Sequence, residues 1–200
     1  MKNVLIIDTG SGNLTSLGAA IRKIGFNPIR QTEPSSAWFQ KNDLGDIDAI
    51  VLPGQGRFGL VMQQLKKIGW VQYLQRAKQR KLPILGICVG LQILFESSAE
   101  DPNVSGLGWF QGKVEKILSP KSPMVGWAKL QGGFADQQYL YFVNSYAVKN
   151  SDFTVSTTEY GERFCASVQS DNIVGMQFHP EKSAKIGQNL LKRALTGSLI

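Results

Sequence analysis

The sequence predicts an α/β fold: an open, mostly parallel sheet flanked by helices, with antiparallel strands added in its second half. Three observations carry that prediction. In the first half, short apolar runs alternate with helical stretches, the pattern of a parallel sheet covered on both faces. From Gly106 to Gln177, β-rich runs follow one another between Gly, Pro, Ser and Asn, which marks antiparallel strands. The chain then closes on apolar residues at helical spacing. Its 200 residues, 42% hydrophobic, suffice for a real core. No repeat, low-complexity tract or long linker divides them, so residues 1–200 read as a single domain.

The elements follow in order. NVLIID (Asn3 to Asp8) reads as a buried strand, and the turn TGSG leads into NLTSLGAAIRKIG, a helix with Asn13 as its N-cap. DAIVLPG (Asp48 to Gly54) reads as a second buried strand, stopped by Pro53 and Gly54. LKKIGWVQYLQRAKQRK is a helical segment with Trp70, Tyr73, Leu74 and Ala77 inward and Lys/Arg in water. LPILGI is a central strand ending at Cys88. GKVEKI, QYLYFV, FTVSTT, RFCASVQ and NIVGMQF are the runs expected to add antiparallel strands to the parallel core. SAKIGQNLLKRAL, with Ile186, Leu190, Leu191, Ala194 and Leu195 on one face, is the closing helix.

Charge and composition exclude several classes. The net charge is +7, and no Asp or Glu occurs from Arg57 to Phe95. A nucleic-acid surface would interleave aromatic residues at stacking positions; a solvated helical face is the simpler reading. A basic patch facing an acidic partner or an anionic substrate stays open. Two cysteines make no disulfide framework, so a reducing compartment is expected. The start offers too short an apolar run for a signal-peptide core. The longest apolar-rich run, Leu82 to Phe95, is broken by Pro83, Gly86, Gly90 and Gln92 and is too short for a bilayer. The expectation is a soluble, cytoplasmic protein with neither nucleic acid nor membrane among its partners.

LGICVGLQILF (Leu85 to Phe95) sets Cys88 between Gly86 and Gly90. A nucleophile elbow needs small residues there, because the strand-to-helix turn brings neighbouring backbone against any β-carbon. The helix expected to start near Val89 would aim N–H groups at the thiol, favouring thiolate and offering donors for an oxyanion. Taken alone, Cys88 reads equally well as a core cysteine. His179, the sole histidine, tips the balance: it lies in MQFHPEKS just past a strand, where the end of a parallel sheet carries active sites. A thiol nucleophile needs a base poised near neutral pH. Glu181 stands two residues on, and with Pro180 holding the backbone extended its carboxylate reaches the far ring nitrogen. Cys165, in RFCASV without glycine neighbours, reads as packing. LPGQGRFG (Leu52 to Gly59) lacks the Gly-Lys-Ser/Thr close of a phosphate-binding loop. It is either a simple turn or a source of backbone amides at Gly54, Gln55 or Gly56 for an oxyanion hole.

GICVGLQILFE and QFHPEKS together resemble the class I (triad) glutamine amidotransferases, whose fold is flavodoxin-like. GSGNL, PGQGRFG, GLGWFQGKV, GWAKL, YFVNSY and YGERFCASVQSDNIVGMQFHPEKS narrow the resemblance to the glutaminase subunits of imidazole glycerol phosphate synthases, nearly end to end. The resemblance implies that Cys88 attacks glutamine, with His179 as base and then acid and Glu181 orienting it. It implies that Gly56, Val89, Gln92, Ser145 and Tyr146 hold glutamine, and that Gly54, Gln55 and Val89 serve the oxyanion. It further implies a heterodimer with a (β/α)₈-barrel cyclase that receives the ammonia, and no cofactor or metal. One histidine and two separated cysteines make a poor metal site in any case.

Some positions depart from the family pattern. Gln55 stands where Val is usual, PMVGWA replaces Pro-His-Met-Gly-Trp-Asn and so changes Met124, Val125 and Ala128, and Asn144 replaces His. In the family these segments lie near the site and the face towards the cyclase. They leave open a paralogue feeding another synthase, such as one aminating a nucleotide sugar. A stand-alone cysteine hydrolase is the further alternative, and a scaffold with a vestigial site the non-enzyme one.

Overall fold

In the computed structural model, which describes residues 1–10, 13–41, 43–118, 121–197 and 199, β1 (Asn3–Ile7) is buried from Val4 onward. It pairs in parallel with β2 (Asn27–Gln31) on one side and β3 (Ala49–Leu52) on the other. β4 (Ile84–Ile87) extends the parallel ladder beyond β3, and β12 (Ile173–Met176) extends it beyond β4. β11 (Glu162–Ser170) and β10 (Thr154–Tyr160) complete that edge in antiparallel fashion. The sheet therefore runs β10-β11-β12-β4-β3-β1-β2. β3, β4 and β12 are buried at every residue, which is why their sequences are apolar runs rather than alternating ones.

The sequence reading holds for β1, β3 and β4 and needs three corrections elsewhere. Asp48 to Gly54 holds β3, the second buried strand as read, but the reading passes over β2. β2 precedes it as a half-exposed edge strand whose Pro28 has no N–H to offer. The run NIVGMQF is part of the parallel core, since β12 pairs in parallel with β4. Two expected additions belong to separate small sheets. β6 (Phe110–Lys116) lies between β5 (Phe95–Ser98) and β9 (Tyr146–Val148), and β7 (Met124–Lys129) forms a two-stranded sheet with β8 (Tyr139–Asn144).

Helix α1 (Leu14–Lys23) begins as expected, with the Asn13 side chain accepting from Ser16 N at 3.1 Å. Of the TGSG turn, Ser11 and Gly12 lie outside the described residues. A short α2 (Ser36–Lys41) follows β2. The basic stretch is two helices, α3 (Phe58–Ile68) and α4 (Trp70–Gln79), broken at Gly69 with φ 90°. A left-handed residue ends one helix there, and glycine adopts that conformation without penalty. Trp70, Tyr73, Leu74 and Ala77 are buried, as the spacing predicts. After β4 comes α5 (Val89–Gln92), and the chain closes on α6 (Ala184–Leu195), which buries Leu190, Leu191, Ala194 and Leu195. No helix among the described residues is long and apolar enough to cross a membrane.

Candidate active site

Cys88 sits at the C-terminal end of β4 with φ 52° and ψ −109°. Such values are rare for a residue with a β-carbon and persist only where surrounding structure imposes them. Three glycines impose them here. A β-carbon on Gly86 would lie 2.4 Å from Gly90 O, one on Gly90 2.1 Å from Leu52 O, and one on Gly54 1.8 Å from Ile87 O. The turn is thus closed by backbone touching backbone across β3, β4 and α5. Its register is fixed by Cys88 N donating to Met176 O at 2.7 Å, the last rung between β4 and β12. The Cys88 thiol is buried and lies 3.6 Å from Val143 O, towards which it donates.

His179 follows the end of β12 by three residues and is 3% exposed. Its backbone is extended, but Pro180–Lys182 form a 3₁₀ turn rather than the extended segment expected from the sequence. Proline supplies the fixed φ that opens such a turn. Glu181 nevertheless meets the ring: Oε1 lies 2.8 Å from Nδ1. Burial works against a charged imidazole, yet hydrogen bonds with Cys88 and Glu181, and their charges, outweigh it and push His179 up to about 9. The ring therefore holds its proton at neutral pH between a sulfur and a carboxylate.

Cys88 opens on a cleft of about 170 Å³. Gly56, Val89, Gln92, Ser145 and Tyr146, all expected at the site, line it with Cys88. Gly54 and Gln55 instead face a small cavity bounded by His179 and Glu181, and the Gln55 side-chain oxygen accepts from Asn13 N at 3.1 Å. Gln55 thus ties the glycine-rich loop to the start of α1. Asn144, inward-facing and buried, also lines the cleft, with Nδ2 donating to Tyr146 O at 3.2 Å.

Two polar residues at the site escape the sequence reading. Glu100 lines the cleft while its Oε2 accepts from Phe58 N at 2.9 Å. Beside it Asp101 binds Arg57 through both oxygens and accepts from Gly59 N, clamping the exit of the glycine-rich loop. No local pattern marks a carboxylate in a loop as facing a site 12 residues back along the chain. Gln177 is the other: fully buried, its Nε2 is 3.5 Å from Cys88 Sγ. Its position two residues before His179 was the available signal, since residues i and i+2 of a strand share a face. Cys165, by contrast, is buried against Thr154 Oγ1 at 3.0 Å, and burial pushes its thiol up.

A cysteine elbow at a strand end, faced by a histidine–glutamate pair, is the arrangement a thiol nucleophile needs, and it sits on an α/β sheet. Residues 5–196 match the glutamine amidotransferase class-I family, and the chain belongs to it. It is 40% identical over 195 residues to the imidazole glycerol phosphate synthase subunit HisH of Thermus thermophilus, covering 95% of each chain. The subunit of the same name from Methanopyrus kandleri is 39% identical over 205 residues, with 98% of both chains covered. Among solved structures, a glutamine amidotransferase superposes with a TM-score of 0.77 at 15% identity, covering 98% of this chain and 99% of that one. PurLQS from Thermotoga maritima gives 0.73 at 19%, covering 98% and 97%. These structural likenesses speak for the fold.

Proposed function

We propose that the chain is the glutaminase subunit of an imidazole glycerol phosphate synthase, with Cys88, His179 and Glu181 as its catalytic residues. The observation that carries this is the hydrogen-bonded His179–Glu181 pair against an elbow cysteine. Near-full-length likeness to subunits of that name supports the choice of synthase. Cys88 Sγ, its proton taken up by His179, attacks the side-chain amide carbon of glutamine. A C–S bond forms, the C–N bond breaks, and the His179 imidazolium gives its proton to the departing ammonia. Water then attacks the thioester, His179 takes its proton, and the sulfur leaves as glutamate is released. Glu181 keeps the ring's proton-bearing face on the sulfur. Backbone amides of Gly54, Gln55 and Val89 are the candidates to hold the oxyanion.

Glutamine lies in the 170 Å³ cleft between Gly56, Val89, Gln92, Ser145 and Tyr146. Both N–H groups of Gln92 are used, towards Tyr146 O at 2.9 Å and Gln177 Oε1 at 3.1 Å. Its oxygen is what remains for the substrate, so it and the Glu100 carboxylate are suited to an α-ammonium group. The ammonia passes to a (β/α)₈-barrel cyclase in a heterodimer. There it converts a phosphoribulosyl-formimino intermediate into imidazole glycerol phosphate and aminoimidazole carboxamide ribotide.

The face suited to that partner is the outer side of the β7–β8 hairpin. Val125, Trp127 and Tyr139 are 59%, 53% and 54% exposed there, and Val143 of the same strand pair borders the cleft. Large apolar side chains clustered in water mark an interaction site. Both cysteines are free, which suits a cytoplasmic protein. Val125 on this face and Asn144 in the cleft favour, as a second reading, a related synthase with a different acceptor. Glutamate release by the purified chain, with and without a barrel cyclase and its ligand, decides among these. We expect weak release alone and a rise of at least about 100-fold in the complex, the worth of one oxyanion donor. Cys88→Ser should abolish release and Cys165→Ser leave it unchanged. Full-rate hydrolysis by the chain alone would favour the stand-alone hydrolase.

A further inference from the structure

We propose that Gln177 is the positioning residue of the nucleophile: its side-chain amide donates to Cys88 Sγ in an orientation that its neighbours dictate. The inference rests on Cys88 being the nucleophile. An amide side chain beside a sulfur is ordinarily ambiguous, because its oxygen and nitrogen ends are interchangeable in shape. Here a chain of contacts removes the ambiguity. Tyr146 O, a backbone carbonyl, can only accept, so the end of Gln92 that lies 2.9 Å from it is the amino end. That same amino group lies 3.1 Å from one end of the Gln177 amide, which must then be the oxygen. The remaining end, the NH₂ of Gln177, faces Cys88 Sγ at 3.5 Å. Gln92 and Gln177 are 3% and 0% exposed, so water does not compete for these contacts.

The backbone pins the relay at both ends. Gln177 N donates to Ala166 O at 2.8 Å and Cys88 N to Met176 O at 2.7 Å, so the two residues are held across adjacent strands. The thiol has two further polar neighbours, the titratable His179 ring and Val143 O, which offers only an acceptor. The sulfur is thereby held between Val143 O, towards which it donates, and the Gln177 amide, which donates to it. A donor facing sulfur fixes its position by a directed hydrogen bond. Here it does so at the mouth of the cleft, which Gln177 itself does not line. Its role towards the nucleophile is thus exerted through Cys88, while its oxygen end holds Gln92.

The test is alkylation of Cys88 by iodoacetamide across pH, read on the full chain by peptide mass, alongside steady-state glutamine hydrolysis. Gln177→Glu keeps an oxygen for Gln92 but turns an acceptor towards sulfur, while Gln177→Met removes both polar ends. Alkylation at neutral pH should slow about 10- to 100-fold in each, the size of a hydrogen bond to a charged group. In Gln177→Glu, kcat should fall with KM changed no more than about twofold. A natively folded Gln177→Glu with the wild-type alkylation profile overturns the proposal. Should both variants fail to fold, the side-chain ¹⁵N resonance of Gln177 in the wild type decides. It should jump on alkylation of Cys88, and a resonance indifferent to alkylation overturns the assignment. If Cys88→Ser still hydrolyses glutamine, the glutaminase reading falls instead, and alkylation continues to report on Gln177 independently.

Discussion

His179 gathers three residues' worth of chemistry into one titration. Being the only histidine, it gives a single imidazole Cε1–H resonance, and its midpoint should lie at about 9 in the wild type. In Cys88→Ala the strongest group holding the proton is gone while the burial that opposes it remains. The midpoint should therefore move down, which NMR titration of both proteins checks. A midpoint unmoved by the substitution would mean that sulfur and ring do not share the proton. At this scale the sequence spoke clearly wherever covalent geometry constrains the chain. The flanking glycines of Cys88 announce a turn that no β-carbon fits, and the clashes at Gly86 and Gly90 are the physical content of that motif. It was silent about Glu100, whose place in the cleft depends on a loop clamped by Arg57 and Asp101 from distant positions. It misjudged the local path at Pro180, where reach was right and backbone shape was wrong.

Among the elements, α4 shows how a basic helix is fastened. Its Tyr73 hydroxyl donates to Leu44 O at 2.9 Å, and its ring meets Trp38 and Trp70 edge-on at 5.1 and 5.2 Å. Burial, with Asp43 adding to it, pushes the phenol up to about 12. A group raised in the fold stabilises it below the unfolded value, near 10, and loses that contribution as pH rises through the folded value. The urea midpoint of the wild type should thus fall more steeply between pH 10 and 12 than that of Tyr73→Phe. At neutral pH Tyr73→Phe should cost about 1–3 kcal/mol, since it leaves the Leu44 carbonyl buried without its donor. Parallel slopes would show that Tyr73 is not protected. Elements buried on both faces were legible because their apolar runs have no alternative. β2 was not, because an edge strand carrying Asn27, Pro28, Arg30 and Gln31 is exposed along half its length. The assignment of β6 and β8 to separate sheets was also hidden, since alternation reveals a half-buried strand but not its neighbour.

At the scale of the whole molecule, the exposed hairpin face predicts how the chain meets its partner. Trp127→Ala and Tyr139→Ala should each weaken association with the partner subunit proposed above while leaving the fold intact, since both side chains stand more than half in water. Each should cost at least about 1 kcal/mol of binding if it anchors the interface, measurable by calorimetry. Unchanged affinity in both would move the docking face elsewhere. The link from that face to the chemistry runs through backbone. His179 N donates to Tyr141 O at 2.8 Å, and Tyr141 N donates to Ser183 Oγ at 3.0 Å, which itself donates to His179 O at 2.7 Å. Val143 O meets the thiol at 3.6 Å. Because main-chain atoms make these contacts to histidine and sulfur, the outward side chains of Val125, Trp127 and Tyr139 touch neither. Val125, Trp127 and Tyr139 stand more than half in water on the side of the hairpin away from the core, so substitutions at these positions leave its buried contacts in place. Selection for a new partner can then rewrite Val125 or Trp127 while the hydrolytic machinery is inherited unaltered. A lineage of such subunits would be expected to diverge in the company it keeps long before it diverges in what it does to glutamine.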